Sequence, residues 1–283
     1  MLHPINPLVD CVFKAIFGDP ENADLLLSLL NAVLRPAVPI REVEILNPYV
    51  PQEFPSDDQR VLDVRARIHA RDHAQLEVQL QVRPWMASRV LYTWADVYQS
   101  QLQRGSSFRE LRPVISIWVL GQTLLPQTDR WHHRFAIWDH EADLRLSDHL
   151  QIHTLELPKW SPKGPGLAAD DLWMYFFREA SRWTELPPDL HTPEMEKAMR
   201  ILERFSEKER DYHDYQSRMN FLREQASLEE ERAEMLSALE EQKKVLQEQQ
   251  QTLEEQQETL ARQQQAIARL RAQMRAAGLD PDA

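Results

Sequence analysis

Apolar residues recur at helical spacing along the first 34 residues of the chain. One such run covers residues 8–17, and the sequence Gly18-Asp19-Pro20 that follows it is typical of a helix end. A second, more strongly apolar run covers residues 22–34 and is followed by Pro36, which does not continue a helix. The N-terminal region is therefore predicted to contain two consecutive helices.

The apolar period changes to two after Pro36, and this period predicts β-strands. Three strands are expected in this part of the chain, over residues 43–46, 61–68 and 76–82. The second and third are separated by Arg71-Asp72-His73, which we interpret as a tight turn. These two strands are therefore expected to pair as a β-hairpin.

A further helix and further strands follow the hairpin. Apolar residues between positions 85 and 102 return to helical spacing, and Gly105 ends this helix. Residues 114–120 are almost continuously apolar, which is the pattern of a strand buried on both faces of a sheet. Shorter strands are expected around residues 134–138 and 150–155. This succession of elements predicts one α/β domain over residues 1–160.

The remainder of the chain is predicted to be helical. Prolines and glycines between positions 158 and 166 indicate a linker, and a helical linker region is expected over residues 161–216. Within this region Thr192-Pro193-Glu194 is a helix start signal, because proline is favoured at the first helical position. Residues 217–277 contain neither Gly nor Pro, so one long helix is expected there, followed by a short C-terminal end at 278–283.

A seven-residue repeat runs through this long helix. Its apolar residues are Leu239, Leu246, Leu253, Leu260, Ile267 and Met274. An apolar period of seven predicts a left-handed coiled coil. The position four residues before each of them is mostly glutamine, so the pairing is expected to be weak. The repeat therefore predicts an all-α tail with a coiled coil, and a homodimer formed through it.

Composition and charge limit the class of protein. The chain carries 33 Lys and Arg against 45 Asp and Glu, a net charge of −12, whereas a nucleic-acid-binding surface is usually basic. The single cysteine, Cys11, excludes an intramolecular disulfide framework and a cysteine-based zinc site. No apolar stretch approaches the ~20 residues of a membrane span. No signal peptide is recognised either, so we expect a cytoplasmic protein without a membrane partner.

Polar residues interrupt both strands of the predicted hairpin. Asp63 lies between two apolar residues of the first strand, where Asp is disfavoured. Glu77 and Gln79 lie two residues apart and so share one face of the second strand. If the strands pair, Asp63 and Glu77 can approach each other, and two adjacent carboxylates repel unless a cation such as Mg²⁺ neutralises them. The alternative is that each acid faces solvent, as polar residues of antiparallel strands often do.

Seven short segments are similar in order and spacing to one known family. The N-terminal segments are Asp10-x-x-Phe13-Lys14-x-x-Phe17-Gly18 and Leu29-Leu30-Asn31-Ala32-Val33-Leu34. The next three are Leu62-Asp63-Val64, Leu76-Glu77-Val78-Gln79 and Arg89-x-x-Tyr92-x-Trp94-x-x-x-Tyr98. The last two are Leu111-x-Pro113-Val114-Ile115-x-Ile117 and Leu155-Glu156-Leu157-Pro158-Lys159. On these segments the chain resembles the Rpn family of recombination-promoting nucleases and transposases, within the PD-(D/E)XK nuclease superfamily.

The resemblance implies an α/β fold with a PD-(D/E)XK core, in which a mixed sheet is flanked by helices. It also implies metal-assisted hydrolysis of phosphodiester bonds in DNA, with Asp63 and Glu77 as catalytic residues that bind Mg²⁺ or another divalent cation such as Mn²⁺ or Ca²⁺. Gln79 stands where the family motif usually has Lys. A glutamine amide can orient a water or donate to a phosphate oxygen, but it carries no charge.

Three cationic residues are candidates for the positive charge and for contacts with DNA. Lys14 is the obvious substitute for the missing lysine, or else its alkyl chain covers the edge of the helix and its ammonium reaches solvent. Asp10, one turn before Lys14, is either its ion-pair partner or a helix cap. Arg83 and Arg89 flank the start of the helix after Gln79 and are candidates for contacts with the DNA backbone.

Histidines offer weaker candidates for metal ligands. His69 with His73, and His132 with His133, have spacings that occur in metal sites, but neither pair has a third ligand nearby in the sequence. Both pairs are therefore predicted to be surface histidines in loops.

Taken with the resemblance, the sequence favours a metal-dependent DNA endonuclease linked to recombination or mobile elements. The alternative is a nuclease-fold protein of weak or no activity that acts as a DNA-binding or coiled-coil interaction module. Gln79, the acidic charge and the long tail favour that alternative.

Overall fold

Among the described residues, two α-helices, three strands, one α-helix, five strands and two further α-helices precede one long helix. The computed structural model describes residues 3–47, 64–68, 72–162 and 168–276. The helices are α1 (Asp10–Phe17), α2 (Ala23–Leu34), α3 (Met86–Gln99), α4 (Ala169–Glu179), α5 (Pro193–Glu207) and α6 (Glu209–Ala276). The strands are β1 (Val43–Ile45), β2 (Val64–Ile68), β3 (Asp72–Gln79), β4 (Val114–Leu120), β5 (His132–Phe135), β6 (Trp138–Asp139), β7 (Leu144–Arg145) and β8 (Leu150–Glu156).

Six of these strands form one mixed sheet in the order β1-β2-β3-β4-β8-β5. The two central pairings, β3 with β4 and β4 with β8, are parallel, and the outer pairings are antiparallel. Strands β6 and β7 pair separately. Every residue of β4 is buried, as expected of an apolar strand between two parallel neighbours.

The predicted hairpin is confirmed, whereas its predicted turn is wrong in part. Strands β2 and β3 are antiparallel, with Val64 opposite Leu76 and Ile68 opposite Asp72. Asp72 and His73 therefore belong to β3 and not to a turn. The backbone N–H of His73 donates to the carbonyl of Pro113 at 3.0 Å, so pairing with the segment before β4 extends the strand towards its N-terminus.

Helices cover both faces of the sheet. Alternate residues of β3 and β4, among them Leu76 and Ile117, pack in one large core to which α1, α2, α4 and α5 contribute. On the opposite face Met86 and Val90 of α3 pack against Trp118 of β4 in a smaller core. The prediction of a mixed sheet flanked by helices and followed by an all-α tail is confirmed.

Helices α4 and α5 belong to the larger core, although their sequence lies in the segment predicted to be a helical linker region. Trp173 and Phe177 of α4 contact Phe17 of α1, with ring centroids 5.2 and 5.9 Å apart. Helix α5 begins at the predicted start signal, where the Thr192 hydroxyl accepts a hydrogen bond from the backbone N–H of Met195.

The chain divides into two compact units, Met1–Met219 and Asn220–Ala283. The second unit, as far as residue 276, is the continuation of α6. The leucines of the seven-residue repeat and Ile267 are 47–57 % exposed in this unit. Within the part of the chain that the structure describes, no helix is both long and apolar enough to cross a membrane.

Candidate active site

Three polar side chains share the face of β3 that is turned towards α3. Alternation along the strand places Gln75, Glu77 and Gln79 on this face, because Ala74, Leu76 and Val78 pack in the core on the other side. The register of β3 with β4 confirms the placement, since Glu77 lies opposite Trp118, which belongs to the core under α3. The spacing of two read from the sequence therefore places Glu77 and Gln79 side by side.

The carboxylate of Glu77 is the central group of this face. Glu77 is 4 % exposed. The side-chain amide of Gln75 donates a hydrogen bond to Oε1 of Glu77 at 2.5 Å, and Nη2 of Arg89 lies 3.6 Å from Oε2. Because an isolated buried carboxylate is costly, these two neighbours compensate its charge on opposite sides.

Arg89 reaches this face from α3. Its Nη1 donates a hydrogen bond to the side-chain oxygen of Gln79 at 3.0 Å. Its guanidinium carbon lies 5.7 Å from the centre of the Trp118 ring, within the range of a cation–π contact. Arg89 was predicted as a contact to the DNA backbone, and the structure brings it to the two polar residues of the sequence motif.

The other predicted site residues are placed less completely. Asp63 lies outside the described residues; its chain neighbour Val64 is paired with Leu76, the chain neighbour of Glu77. Lys14 lies on α1, half-buried, next to Gly18. A Cβ atom at Gly18 would lie 2.8 Å from the backbone oxygen of Lys14, so a side chain there would collide with the last turn of α1.

Arg83 and Asp10 make specific contacts of their own. Arg83, just beyond β3, donates a hydrogen bond to the side chain of Gln81 at 2.6 Å. The Asp10 carboxylate accepts from the backbone N–H of Cys11 and forms an ion pair of 2.6 Å with Arg218. The interpretation of Asp10 as a helix cap is wrong, because the N-cap of α1 is Val9 and no side chain caps this helix; the ion-pair partner of Asp10 is Arg218.

One oxygen beside Glu77 lacks a hydrogen-bond partner among the described residues. The amide oxygen of Gln75 is buried and has no hydrogen-bond donor among the described residues. A carboxylate beside an orphaned amide oxygen fits a hard divalent cation, which prefers oxygen ligands. Within residues 3–47, 64–68, 72–162 and 168–276, no three His, Cys, Asp or Glu side chains come together as a metal site. Asp63 is not among those residues.

The histidines predicted to lie in surface loops belong instead to the sheet. His132 lies in β5, and its Nε2 is hydrogen-bonded to Nδ1 of the buried His153 in β8, 2.9 Å away. Burial lowers the pKa of His132 to about 4 and that of His153 to about 3, so both imidazoles are neutral near pH 7. His73 lies in β3, where burial lowers its pKa, and His69 lies outside the described residues.

A comparison with protein families gives a match over most of the chain. The family model described as a PD-(D/E)XK nuclease family transposase matches residues 7–232, which is well over half of the chain. The chain belongs to this family. No curated protein and no solved structure matches it. The nuclease and transposase character predicted from the sequence segments is thereby supported at the level of the PD-(D/E)XK family.

Two residues of this PD-(D/E)XK family member were missed in the sequence. Gln75 had a partial signal, because it precedes Glu77 by two and shares its face once the strand begins before the predicted residue 76. Trp118 had none, because it lies in a continuously apolar strand and contacts Arg89 only through the packing of α3 on the sheet.

Proposed function

We propose that the chain is a metal-dependent DNA endonuclease that hydrolyses phosphodiester bonds and serves DNA recombination or mobile elements. The observation that carries the proposal is the buried Glu77 carboxylate on the face of β3, flanked by the side chains of Gln75 and Arg89. A structural role alone gives little reason to bury a carboxylate, because a well-packed apolar residue would cost less.

Asp63 and Glu77 are proposed to hold the metal. A bound Mg²⁺, Mn²⁺ or Ca²⁺ would polarise a phosphoryl oxygen and lower the pKa of the attacking water. Gln75 would keep the Glu77 carboxylate in one orientation through its hydrogen bond. The neutral amide of Gln79 would orient the water or donate to a phosphate oxygen.

Lys14 and Arg83 are proposed as further residues of the site. Helix α1, which carries Lys14, packs on the face of β3 opposite to Glu77. Lys14 is proposed as a cation that stabilises the negative charge developing on the phosphate, since Gln79 has none to offer. Arg83 is proposed to contact the DNA backbone beyond the cleaved bond, where a guanidinium can bind phosphate oxygens with two donors.

The test is nicking of supercoiled plasmid by the full-length protein. We expect open-circular product with Mg²⁺, Mn²⁺ or Ca²⁺ and none when EDTA removes the metal. Loss of nicking when Glu77 is replaced by Ala would exclude a contaminating nuclease. Absence of nicking with all three metals would contradict the proposal.

A second candidate function is favoured by Gln79, which gives the motif no positive charge. In that case the chain is a weakly active or inactive relative that binds DNA or partner helices as a scaffold. This candidate predicts DNA binding without metal-dependent nicking, so the plasmid assay combined with a DNA-binding assay distinguishes the two.

The long helix is proposed to form a homodimer. The leucines at positions 239, 246, 253 and 260 and Ile267 repeat every seven residues and are about half exposed. A parallel copy in register would place each of these apolar residues opposite its counterpart and each glutamine opposite a glutamine. Two copies would supply two sites, one for each strand of a duplex.

A further inference from the structure

The motif of this site lacks a cation at the one position where its family usually has lysine. Gln79 occupies that position, and its side-chain oxygen accepts a hydrogen bond from Arg89. A guanidinium therefore lies where the ammonium of a lysine at position 79 could have reached, although it comes from α3 and ten residues further along the chain.

Three contacts hold the guanidinium in place. It donates to Gln79, lies 3.6 Å from the Glu77 carboxylate, and stands over the ring of Trp118. A guanidinium is planar and remains charged at any physiological pH, so contacts on its edge and on its face fix both its position and its orientation.

The same guanidinium remains open to a ligand. The Arg89 side chain is 28 % exposed, whereas the Glu77 side chain is 6 % exposed. A guanidinium has five N–H donors, and within the described part of the chain only the hydrogen bond to Gln79 uses one at close range. The other donors can bind the oxygens of a phosphate, for which the fork of Arg is well suited.

We propose that Arg89 is a catalytic cation of this site, which takes the place of the missing motif lysine and binds the phosphate that is cleaved. This inference rests on the proposed nuclease function. It replaces the simpler assignment of Arg89 to the DNA backbone, because a backbone contact would not require the guanidinium to lie beside the metal-binding carboxylate.

The position of Arg89 has a consequence for metal binding. A positive charge beside Glu77 opposes the arrival of a divalent cation at the same carboxylate, because like charges repel. Removal of that charge should therefore tighten metal binding while it slows cleavage. Loss of a residue that only supports the fold would weaken metal binding and slow cleavage.

The experiment compares Arg89→Met with Arg104→Met, in which an exposed arginine after α3 undergoes the same substitution. Mn²⁺ binding is measured by titration calorimetry without DNA, and plasmid nicking is measured with saturating Mn²⁺. For Arg89→Met we expect Mn²⁺ to bind roughly 3–10-fold more tightly and nicking to slow by about 10²–10³-fold, the loss typical of one transition-state contact. Arg104→Met should match the wild type in both measurements.

Arg89→Lys serves as the conservative variant and guards against a folding defect. It keeps the charge without the fork, so it should bind Mn²⁺ as the wild type does and recover part of the nicking rate. Unchanged nicking in Arg89→Met, or weaker Mn²⁺ binding with an unchanged melting temperature, would overturn the role of Arg89 alone. A wild-type chain that does not nick plasmid with any metal would overturn the nuclease function and this role together.

Discussion

At the scale of single residues, the site is organised by the need to compensate a buried carboxylate. Glu77 receives a hydrogen bond from Gln75 and a positive charge from Arg89. The first contact would follow from the sequence only if the strand were known to begin before residue 76, because residues two apart share a face of a strand. The second could not, because the contact of Arg89 with β3 depends on how α3 packs over Trp118.

Lys14 is proposed as a second cation of the site. Replacement of Lys14 by Met keeps the alkyl chain and removes the charge, so the melting temperature should change little. The nicking rate should fall by about 10²–10³-fold, by analogy with loss of one transition-state contact. Plasmid nicking and a thermal melt measure the two effects. An unchanged nicking rate would show that the Lys14 ammonium has no role in cleavage.

The hydrogen-bonded pair of His132 and His153 predicts a pH dependence of stability. Both pKa values lie below the ordinary value of 6.5, so the unfolded chain takes up protons below pH 6.5 that the folded chain does not accept until about pH 4. Stability is therefore complete above pH 6.5 and should fall as the pH is lowered towards 4.

His153→Gln removes one of the two imidazoles that take up a proton on unfolding below pH 6.5. Between pH 7.5 and pH 5.0 the melting temperature of the wild type should fall by a few degrees more than that of His153→Gln. His140→Gln, which changes an exposed histidine, should behave as the wild type. Equal falls in all three proteins would refute the assignment of neutral imidazoles to this pair.

At the scale of elements, the spacing of apolar residues and the positions of Gly and Pro were sufficient to predict most strands of the sheet. The alternation in β2 and β3 predicted the hairpin, and the apolar run in β4 predicted the central strand. The limits of β3 were not predictable, because its first residues are polar and are held by pairing with the segment before β4. Tertiary pairing decides such boundaries, and it is not visible in a local pattern.

The burial of α4 in the main core is an element-level feature that the sequence pattern did not reveal. Prolines and glycines before α4 suggested a break, but Trp173 packs against Phe17 of α1 and is 1 % exposed. Trp173→Ala should therefore cost about 3–5 kcal/mol in the free energy of unfolding. Urea unfolding measures this loss.

Trp85 provides the matched control, because it is 55 % exposed at the start of α3. Trp85→Ala should change the free energy of unfolding by less than about 1 kcal/mol. Similar losses in the two variants would mean that α4 does not contribute to the core as described.

At the scale of the whole molecule, the seven-residue repeat of α6 predicts a binding partner, because its apolar residues are about half exposed. The sequence predicted the helix and its apolar line, but a repeat alone does not identify the molecule that covers it. A helix in water draws most of its stability from packing, so a second copy is the proposed partner.

Lysine substitutions test this dimer in the full-length chain. Leu246→Lys with Leu253→Lys should convert a dimer into a monomer of 33.3 kDa by light scattering. Gln251→Lys with Gln265→Lys adds the same charge away from the apolar line and should leave the dimer intact. Pairing through α6 would be disproved by a wild-type chain that is monomeric at micromolar concentration. It would also be disproved if the lysine double variant at positions 246 and 253 remained dimeric.

Asp63 and Glu77 are proposed to hold the metal that supports DNA cleavage. The most direct measurement is the rate of plasmid nicking, at the Mg²⁺ concentration that saturates the wild type, for Asp63→Ala, Glu77→Ala, the double variant and Glu77→Gln, with the exposed Glu141→Ala as control. Circular dichroism checks that each variant is folded. We predict that every variant at position 63 or 77 loses nicking, that excess metal partly restores a single alanine variant but not the double, and that Glu141→Ala nicks as the wild type does. Wild-type rates for folded Asp63→Ala and Glu77→Ala would contradict the account.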